Sequence, residues 1–431
     1  MKEKKHFIFF FLTTLLLVDL FLKSIPIELF LITIVLIQFF FLDKYSNAFV
    51  LLTIGPILYG AFFNMKNIDM LGGLGLPLGF LLILPLISKL KFQILPSFIS
   101  LTLLLISFFF SAFLHQKGDH YADKFFEIVI ASARYFFAFV VLFYKRQEIN
   151  FYTLSIFYAL MGAFILRLSI NCMELSGPEH LFQFGFMRDQ SNHILYNNFS
   201  SSSKINYIVY HIPGFLVLIS LAFKIISNKK LNFLTNLVFV ILLFFISFYS
   251  GGRQNLLGFI VIFVINILVI SNLSKLKKIS LISIIMITTS YALFQIESEA
   301  ITSVVEGGLS NLGKSSGRAI HYYVALDYFN KNPWTGIGIG YHFYGGNGKY
   351  PHNLFLELLS ETGLIGTFFV LVIALVSYLK NKKHINKQKV FLLILIPFFI
   401  KAMVSGSLST SISVVCFLIA LPFLKENKLY V

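Results

Sequence analysis

Charged residues are scarce in this chain. Only 13% of its 431 residues are Asp, Glu, Lys or Arg, whereas 57% are hydrophobic and the mean hydropathy is +0.82. A soluble domain carries about 25% charged residues, and a single Trp beside 52 Phe is equally unlike a hydrated surface. This composition excludes a soluble enzyme, a secreted disulfide-rich domain and a disordered protein. It predicts an all-α polytopic membrane protein.

Cysteine is nearly absent. Cys172 and Cys416 lie far apart in the sequence, and Cys416 falls within an apolar run. Two such residues cannot supply a metal site. We predict neither a metal nor a cofactor.

The net charge of +16 does not come from one basic patch. Lys and Arg recur as short runs between apolar segments, as at Lys229-Lys230 and Lys382-Lys383. No motif that reads a nucleic-acid groove accompanies them, so nucleic acid is excluded as a partner. Short basic runs of this kind instead set the orientation of a protein in the bilayer.

The apolar segments are long enough to cross a membrane. A spanning helix requires about 20 mostly apolar residues, and this rule predicts about fourteen transmembrane helices in a single integral membrane domain, residues 1–431. The first segment lacks the cleavage site of a signal peptide, so we expect it to be retained as a helix. The predicted segments are 6–22, 25–42, 47–63, 69–88, 92–114, 124–144, 151–170, 206–226, 232–250, 253–271, 279–296, 354–379, 388–404 and 406–424.

Two connections between these segments are long, 171–205 and 297–353. The tails and alternate short loops carry most of the basic residues, which predicts that both termini are cytoplasmic and both long loops external. In the second loop, apolar residues of the stretch 317–329 recur at helical spacing, and Asn330-Lys-Asn-Pro333 would end that helix. We therefore predict a large external loop that contains short helices and the catalytic residues.

His352 is the first candidate catalytic residue. Pro351 precedes an apolar segment, which is a helix-start signal and would place His352 in the first turn. The partial positive charge of a helix N-terminus disfavours imidazolium, and a general base must be neutral to accept a proton. The alternative is a His that only caps the helix or lies at the membrane interface.

Arg253 and Arg318 are candidate anion ligands. Two glycines turn the chain before Arg253, which begins the next segment. Backbone N–H groups at a helix start, together with a guanidinium, suit a phosphate, although an Arg at a helix end also snorkels to lipid headgroups. Arg318 opens the loop helix, where a solvated charge is the alternative. Because Arg253, Arg318 and His352 all fall on the external side, they indicate chemistry on a phosphate-linked, membrane-bound substrate.

Arg134 lies in the middle of an apolar segment, where an unpaired charge costs several kcal/mol. It must therefore face the bundle interior or a wet cavity, either paired with Glu127 or contributing to a substrate path. Arg167 and Lys401 lie nearer helix ends, where snorkelling would explain them.

Two further features near His352 are open to more than one interpretation. Glu357 and Glu361 are one turn apart, either as polar contacts within the bundle or as ligands of sugar hydroxyls. The glycine-rich stretch Trp334–Gly340 follows a helix rather than a strand, so it is not a dinucleotide-binding loop. It is interpreted as a flexible turn that lets backbone approach a substrate.

Several of these residues together resemble the C-terminal signature of the O-antigen ligase/polymerase family. His352-Asn353 is followed by nine residues and then by Gly363 and Gly366, as in the ligase branch, whereas Phe369 stands where that branch has a small aliphatic residue or Thr. Ser250-Gly-Gly-Arg253 is similar to the family's other hallmark. The residues that carry the resemblance in the loop and after it are Arg318, Tyr322, Ala325-Leu326, Asn332-Pro333, Gly336-Ile-Gly338, His352-Asn353 and Glu361-Thr-Gly363-Leu-Ile-Gly366.

The resemblance implies a bacterial inner-membrane enzyme that acts on undecaprenyl-diphosphate-linked oligosaccharide at the periplasmic face. It implies a metal-independent, inverting glycosyl transfer in which His352 deprotonates the acceptor sugar hydroxyl. Arg253 and Arg318 would hold the diphosphate leaving group. The further predicted substrate ligands are Arg134, Asn353, Tyr322 and Glu361.

The departure at Phe369 and the number of predicted helices favour the polymerase of O-antigen or capsular repeat units. A ligase that transfers the polymer to lipid A-core is the alternative within the family. A flippase or transporter for lipid-linked glycans is the alternative from another class. Besides the lipid-linked substrate and the bilayer, a chain-length regulator is a candidate partner.

Overall fold

The computed structural model of the protein describes thirteen stretches of the chain. Within them all regular structure is helical and no strand occurs, which confirms the all-α prediction. The described residues are 2–22, 24–55, 75–87, 95–114, 120–172, 202–227, 233–249, 253–270, 274–283 (except 277 and 281), 318–340, 351–387, 389–404 and 408–424.

The helix bounds follow the predicted apolar segments closely. A π-helical turn, Asn266–Ile270, continues α10, and 3-10 turns lie before α13 and after α14. Most of the predicted segment 279–296 lies outside the described residues, so the count of fourteen transmembrane helices stays a prediction. The helices are α1 (Lys2–Leu22), α2 (Ile27–Phe41), α3 (Lys44–Thr53), α4 (Gly75–Ile87), α5 (Leu95–Leu114), α6 (His120–Tyr144), α7 (Phe151–Cys172), α8 (Ser202–Ile226), α9 (Phe233–Tyr249), α10 (Arg253–Ile265), α11 (Arg318–Lys331), α12 (Leu354–Lys387), α13 (Leu395–Val404) and α14 (Leu408–Ala420).

The surfaces of these helices are strongly apolar. Phe40, Phe110 and Phe126 are each more than half exposed, and large exposed apolar faces are rare on soluble proteins. Among the described residues, Phe125–Tyr144 and Leu354–Lys383 are long and apolar enough to cross a membrane, and nine further apolar helices are shorter. The fold therefore fits a helical membrane protein. The orientation of the termini stays a prediction.

The chain divides into two compact units, each built from several separate stretches of sequence. The first unit comprises residues 1–47, 147–285 and 390–397. In it α7 and α8 pack closely, and Ser155 and Ser220 each donate a 2.7 Å hydrogen bond to the other's carbonyl. Gly162 allows this approach, because a Cβ there would lie 3.2 Å from the Pro213 carbonyl oxygen. Small residues of this kind let apolar helices come together inside a membrane.

A buried ion pair ties α7 to the corner between α1 and α2. Nε of Arg167 lies 2.7 Å from Oδ2 of Asp19, and both side chains are 1% exposed. The Arg167 guanidinium also donates to the Ile25 carbonyl and lies 4.7 Å from the centre of the Phe30 ring. The Asp19 carboxylate accepts further hydrogen bonds from Ser24 Oγ and the Ile25 N–H. The interpretation of Arg167 as a snorkelling residue is therefore wrong, because its counter-charge comes from the chain itself.

The second unit comprises residues 48–146, 286–389 and 398–431. In it α6 and α14 pack through aromatic side chains, and the ring of Phe417 lies 5.1 Å from those of Phe139 and Phe143. Helix α12 contacts α5, α11 and α14. Most of the predicted site residues lie on or beside α12.

Candidate functional site

Helix α12 is interrupted at Gly363. The backbone there has φ 65° and ψ −167° within an otherwise helical run. That combination is accessible essentially to glycine alone. The break releases N–H and C=O groups that a continuous helix would pair, and each such group left unpaired in an apolar environment costs several kcal/mol.

The loop that follows α11 satisfies these groups. The N–H groups of Ile337 and Gly338 donate to the carbonyls of Ser360 and Glu361 at 2.9 and 3.0 Å. In return, the N–H groups of Leu364 and Ile365 donate to Pro333 and Trp334 at 2.8 and 3.2 Å. We call residues 332–338, together with the break at Gly363, the glycine clamp.

The clamp explains two glycines of the sequence signature. A Cβ at Gly336 would overlap backbone atoms of Glu361, and a Cβ at Gly363 would overlap backbone atoms of Trp334. Ser111 on α5 adds a 2.9 Å hydrogen bond to the Glu361 carbonyl. The interpretation of this glycine-rich stretch as a flexible turn is wrong, since its backbone is paired with α12.

Helix α11 lies close to the predicted stretch 317–329 and extends two residues beyond it. It begins at Arg318 and ends at Lys331, just before the Asn332-Pro333 stop. Lys331 and Asp327 form an exposed ion pair of 2.6 Å in its last turn. Tyr322 is partly buried on the same helix. Because the clamp begins directly after α11, it fixes this helix beside α12.

His352 lies at the head of α12 with an unusual backbone. Its φ of 53° is the only positive value among the described non-glycine residues. A side chain in this region of φ is strained by about 1–3 kcal/mol and persists only where its surroundings impose it. His352 precedes the first helical residue by two positions, so the prediction that it lies within the first turn is wrong. Its side chain is partly buried.

Asn353 is the N-cap of α12. Its Oδ1 accepts hydrogen bonds from the N–H groups of Phe355 and Leu356 at 3.0 and 3.2 Å. Its Nδ2 donates to the Met403 carbonyl, near the end of α13, at 3.4 Å. Both polar atoms of the Asn353 side chain are therefore hydrogen-bonded, which fixes the position directly after His352. Its predicted contact with substrate stays a prediction.

The first turn of α11 reaches His352. The rings of His321 and His352 are 6.4 Å apart at an angle of 62°. His321 lies one turn after Arg318, so the start of α11 and the head of α12 come together. From the sequence, His321 was interpreted as a surface residue of the loop helix, although its three-residue spacing from Arg318 was a usable signal.

The second unit also contains charged residues in its interior, of which Glu357, Glu361 and Lys401 are buried and Arg134 is partly buried. Glu357 and Glu361 are each 1% exposed on α12. Arg134 lies 4.6 Å from the centre of the Tyr135 ring and forms no ion pair with any described residue, so pairing with Glu127 is not seen. Lys401 is 7% exposed, which makes its interpretation as a snorkelling residue wrong.

Arg253 begins α10, as predicted. Two residues later, Asn255 is buried against Gly214 of α8, where any Cβ would overlap the Asn255 side chain. This contact fixes the first turn of α10. Arg253 belongs to the first unit and Arg318 and His352 to the second, so their convergence stays a prediction.

The described residues contain no group of three or more His, Cys, Asp or Glu that could hold a metal ion.

Comparison with known proteins identifies one segment. Residues 214–371 match the family model described as O-antigen ligase. This segment contains Arg253, Arg318 and His352 together with the whole glycine clamp. No curated protein and no solved structure matches the chain. The resemblance seen in the sequence motifs is thus confirmed over residues 214–371, which are similar to the O-antigen ligase family.

Proposed function

We propose that this protein is a membrane glycosyltransferase that polymerises lipid-linked O-antigen or capsular repeat units at the periplasmic face of the bacterial inner membrane. The observation that carries the proposal is the position of His352. It has a strained backbone, lies at the head of α12 and contacts the first turn of α11. The family match over the same segment supports the substrate class.

His352 serves as the general base. Its backbone conformation is imposed by the Asn353 cap on one side and by Pro351, which is buried, on the other. Strain of this kind is concentrated at active sites, where it holds a reacting group in place. The imidazole removes the proton of the acceptor sugar hydroxyl as that oxygen attacks the donor.

The attacked atom is the anomeric carbon of the donor sugar. The new glycosidic bond forms on the face opposite the diphosphate, so the configuration at that carbon is inverted. The electron pair of the broken carbon–oxygen bond leaves with undecaprenyl diphosphate. Arg253 and Arg318 hold this leaving group, because a departing diphosphate needs charge stabilisation more than protonation. Two guanidinium groups provide that charge without a metal.

The remaining candidates position the sugars. Tyr322 lies one turn after Arg318 and is partly buried, which suits an aromatic contact with a sugar ring. Asn353 and Glu361 are candidates for contacts with hydroxyl groups, and both are fixed by hydrogen bonds at the head of α12 and at the clamp. A chain-length regulator is a candidate partner.

The ligase is the second candidate function. It is favoured by the description of the matching family and by the His352-Asn353 motif with its two glycines. The polymerase is favoured by Phe369, which departs from the ligase pattern and is a large, exposed side chain on α12. The two reactions differ only in the acceptor.

Deletion of the gene, with the surface glycan resolved by gel electrophoresis, tests the proposal. A polymerase mutant should retain a single repeat unit on lipid A-core and lose the ladder of longer chains. A ligase mutant should carry no glycan on lipid A-core and accumulate polymer on the lipid carrier. An unchanged ladder would contradict both.

A further inference from the structure

Helices α11 and α12 are joined at two places with equal spacing. At the first place the ring of His321 lies beside the ring of His352. At the second, the N–H of Leu364 donates a 2.8 Å hydrogen bond to the Pro333 carbonyl. Pro333 is twelve residues after His321, and Leu364 is twelve residues after His352. The two segments therefore run side by side in the same direction and in a matched register.

The glycine clamp keeps this register. A slip of α11 by one helical turn is a shift of about 5.4 Å, which would break every hydrogen bond of the clamp. Gly336 and Gly363 each approach the opposite backbone so closely that a Cβ would overlap it, which leaves no room for sliding. The position of His321 beside His352 is thus imposed by backbone contacts as well as by the two side chains.

The two imidazole rings meet edge to face. Their centres are 6.4 Å apart and their planes are inclined at 62°. This geometry lies within the range in which aromatic pairs attract each other. Both side chains are only partly buried, so the contact leaves part of the His352 surface open to a substrate.

A catalytic histidine must be held in its ring as well as in its backbone. Pro351, which is buried, and the Asn353 cap constrain the backbone of His352. A general base accepts a proton only when its ring nitrogen lies within hydrogen-bond reach of the hydroxyl. The direction of a reactive ring is held by packing against a neighbouring side chain on a rigid element. His321 provides such a contact from α11.

We propose that His321 is a positioning residue for glycosyl transfer. Its ring holds the His352 imidazole in the direction in which it accepts the proton of the acceptor hydroxyl, and His321 itself takes no proton from the substrate. The inference rests on the proposed function, which assigns the general base to His352. Arg318, assigned to the leaving group, begins α11 one turn before His321. One helix thus carries both the leaving-group cation and the support of the base.

Two substitutions separate the ring of His321 from its nitrogen atoms. His321→Phe keeps an aromatic ring and removes both nitrogens, whereas His321→Ala removes the ring. His321→Ala should lower kcat roughly 10–100-fold, because a displaced base slows proton transfer. The KM for the lipid-linked substrate should not change, and His321→Phe should restore most of the rate.

The assay follows polymer formation by the purified full-length protein from undecaprenyl-diphosphate-linked repeat units, with melting temperatures measured in parallel. Tyr323→Ala is the matched control, because it removes a ring from the same helix at a residue that is 74% exposed. Lys382→Met is a second control, at an exposed position near the end of α12. Both variants should retain the kcat of the original protein.

A double variant tests whether His321 acts through His352. In the His352→Ala protein the base is already absent, so adding His321→Ala should cause no further loss of the residual rate. A further loss as large as that in the original protein would show that His321 acts independently of His352, and the inference would be wrong.

The single variants give three more outcomes that would overturn the inference. Equal loss of kcat in His321→Phe and His321→Ala, at an unchanged melting temperature, would show that a nitrogen of His321 contacts substrate or carries the proton. A parallel fall of melting temperature and rate in both variants would show a role in the fold. If His321→Ala does not fold, His321→Leu replaces it, and a rate equal to that of His321→Phe would show that no ring is needed.

Failure of the inference is distinguishable from failure of the proposed function. Full activity of His321→Ala beside an inactive His352→Ala protein would remove the positioning role alone. Full activity of His352→Ala would remove the general base and, with it, the role of His321.

Discussion

Arg167 in the first unit and Arg134 in the second are both arginines of apolar helices, yet their surroundings differ. Arg167 has a carboxylate at 2.7 Å, a backbone carbonyl and an aromatic ring, all supplied by the chain. Arg134 lies 4.6 Å from the centre of the Tyr135 ring and forms no ion pair with any described residue. Arg167 is thus buried with its counter-charge supplied by the chain, whereas Arg134 is partly exposed and has no counter-charge among the described residues.

The backbone shows the same contrast. Every described residue with a φ in the left-handed region belongs to the second unit, namely His352, Gly336, Gly338, Gly340 and Gly363. The described helices of the first unit hold together through ordinary helical geometry and buried polar pairs such as Ser155 and Ser220. Among the described residues, left-handed backbone thus occurs in one unit, and this unit also carries His352.

The largest effect is expected at His352. His352→Ala should lower glycosyl transfer about 10²–10⁴-fold, because the acceptor hydroxyl loses its general base. Protein level and melting temperature should not fall, since the Asn353 cap remains. The glycan ladder in complemented deletion cells measures activity, and Lys382→Met is the control. A normal ladder from His352→Ala would refute the catalytic assignment.

The next largest effect concerns the buried ion pair. Arg167→Met leaves the Asp19 carboxylate buried and unpaired, which should cost about 3–5 kcal/mol of folding free energy. The double variant Asp19→Leu/Arg167→Met should recover most of this loss, because no buried charge remains. Thermal unfolding of the purified protein measures both. An Arg167→Met protein as stable as the original would contradict the structural role assigned to Arg167 and remove its contrast with Arg134.

Gly363→Ala tests the glycine clamp. It forces a Cβ into the left-handed region and against the Trp334 backbone, so we expect a loss of about 2 kcal/mol or more together with lost activity. Gly79→Ala is the control, because a Cβ there meets only side-chain atoms of Leu51 and Leu52. Equal stability of the two variants would show that the backbone groups released at the break in α12 do not need their hydrogen bonds to the loop.

Arg253→Lys tests the shape of the cation at the start of α10. A single ammonium does not replace the two parallel donors of a guanidinium, so transfer should fall about tenfold while the protein stays folded. The assay is the rate of polymer formation from purified lipid-linked substrate. Full activity with Lys would indicate that charge alone is needed there.

The smallest effect is expected for the stability of Arg134→Met. Removing a partly buried cation that has no ion pair among the described residues should change the melting temperature little or raise it. This outcome is the opposite of that expected for Arg167→Met, although the two substitutions are identical in kind. A large destabilisation at Arg134 would show that this residue, too, serves the fold.

Local sequence rules predicted the helices and failed where distant segments meet. Hydropathy alone gave the bounds of α6 and α8 to within a few residues, and the Asn330-Lys-Asn-Pro333 signal gave the end of α11 to within two residues. Hydropathy could not identify the partners of Arg167, since the Ile25 carbonyl is 142 residues away in the sequence. The Ser111 bond to Glu361 spans 250 residues. Contacts between residues this far apart in the sequence decide whether a charged side chain has a counter-charge, and the hydrophobic pattern of the sequence does not reveal them.

The only Trp of the chain, Trp334, lies within the glycine clamp. Its carbonyl accepts a hydrogen bond from the Ile365 N–H, and the residue is 66% exposed. The tryptophan emission of the whole protein therefore comes from one position, directly beside the break in α12. A shift in that emission when substrate is added would report on this loop alone, with no label attached and no background from other tryptophans.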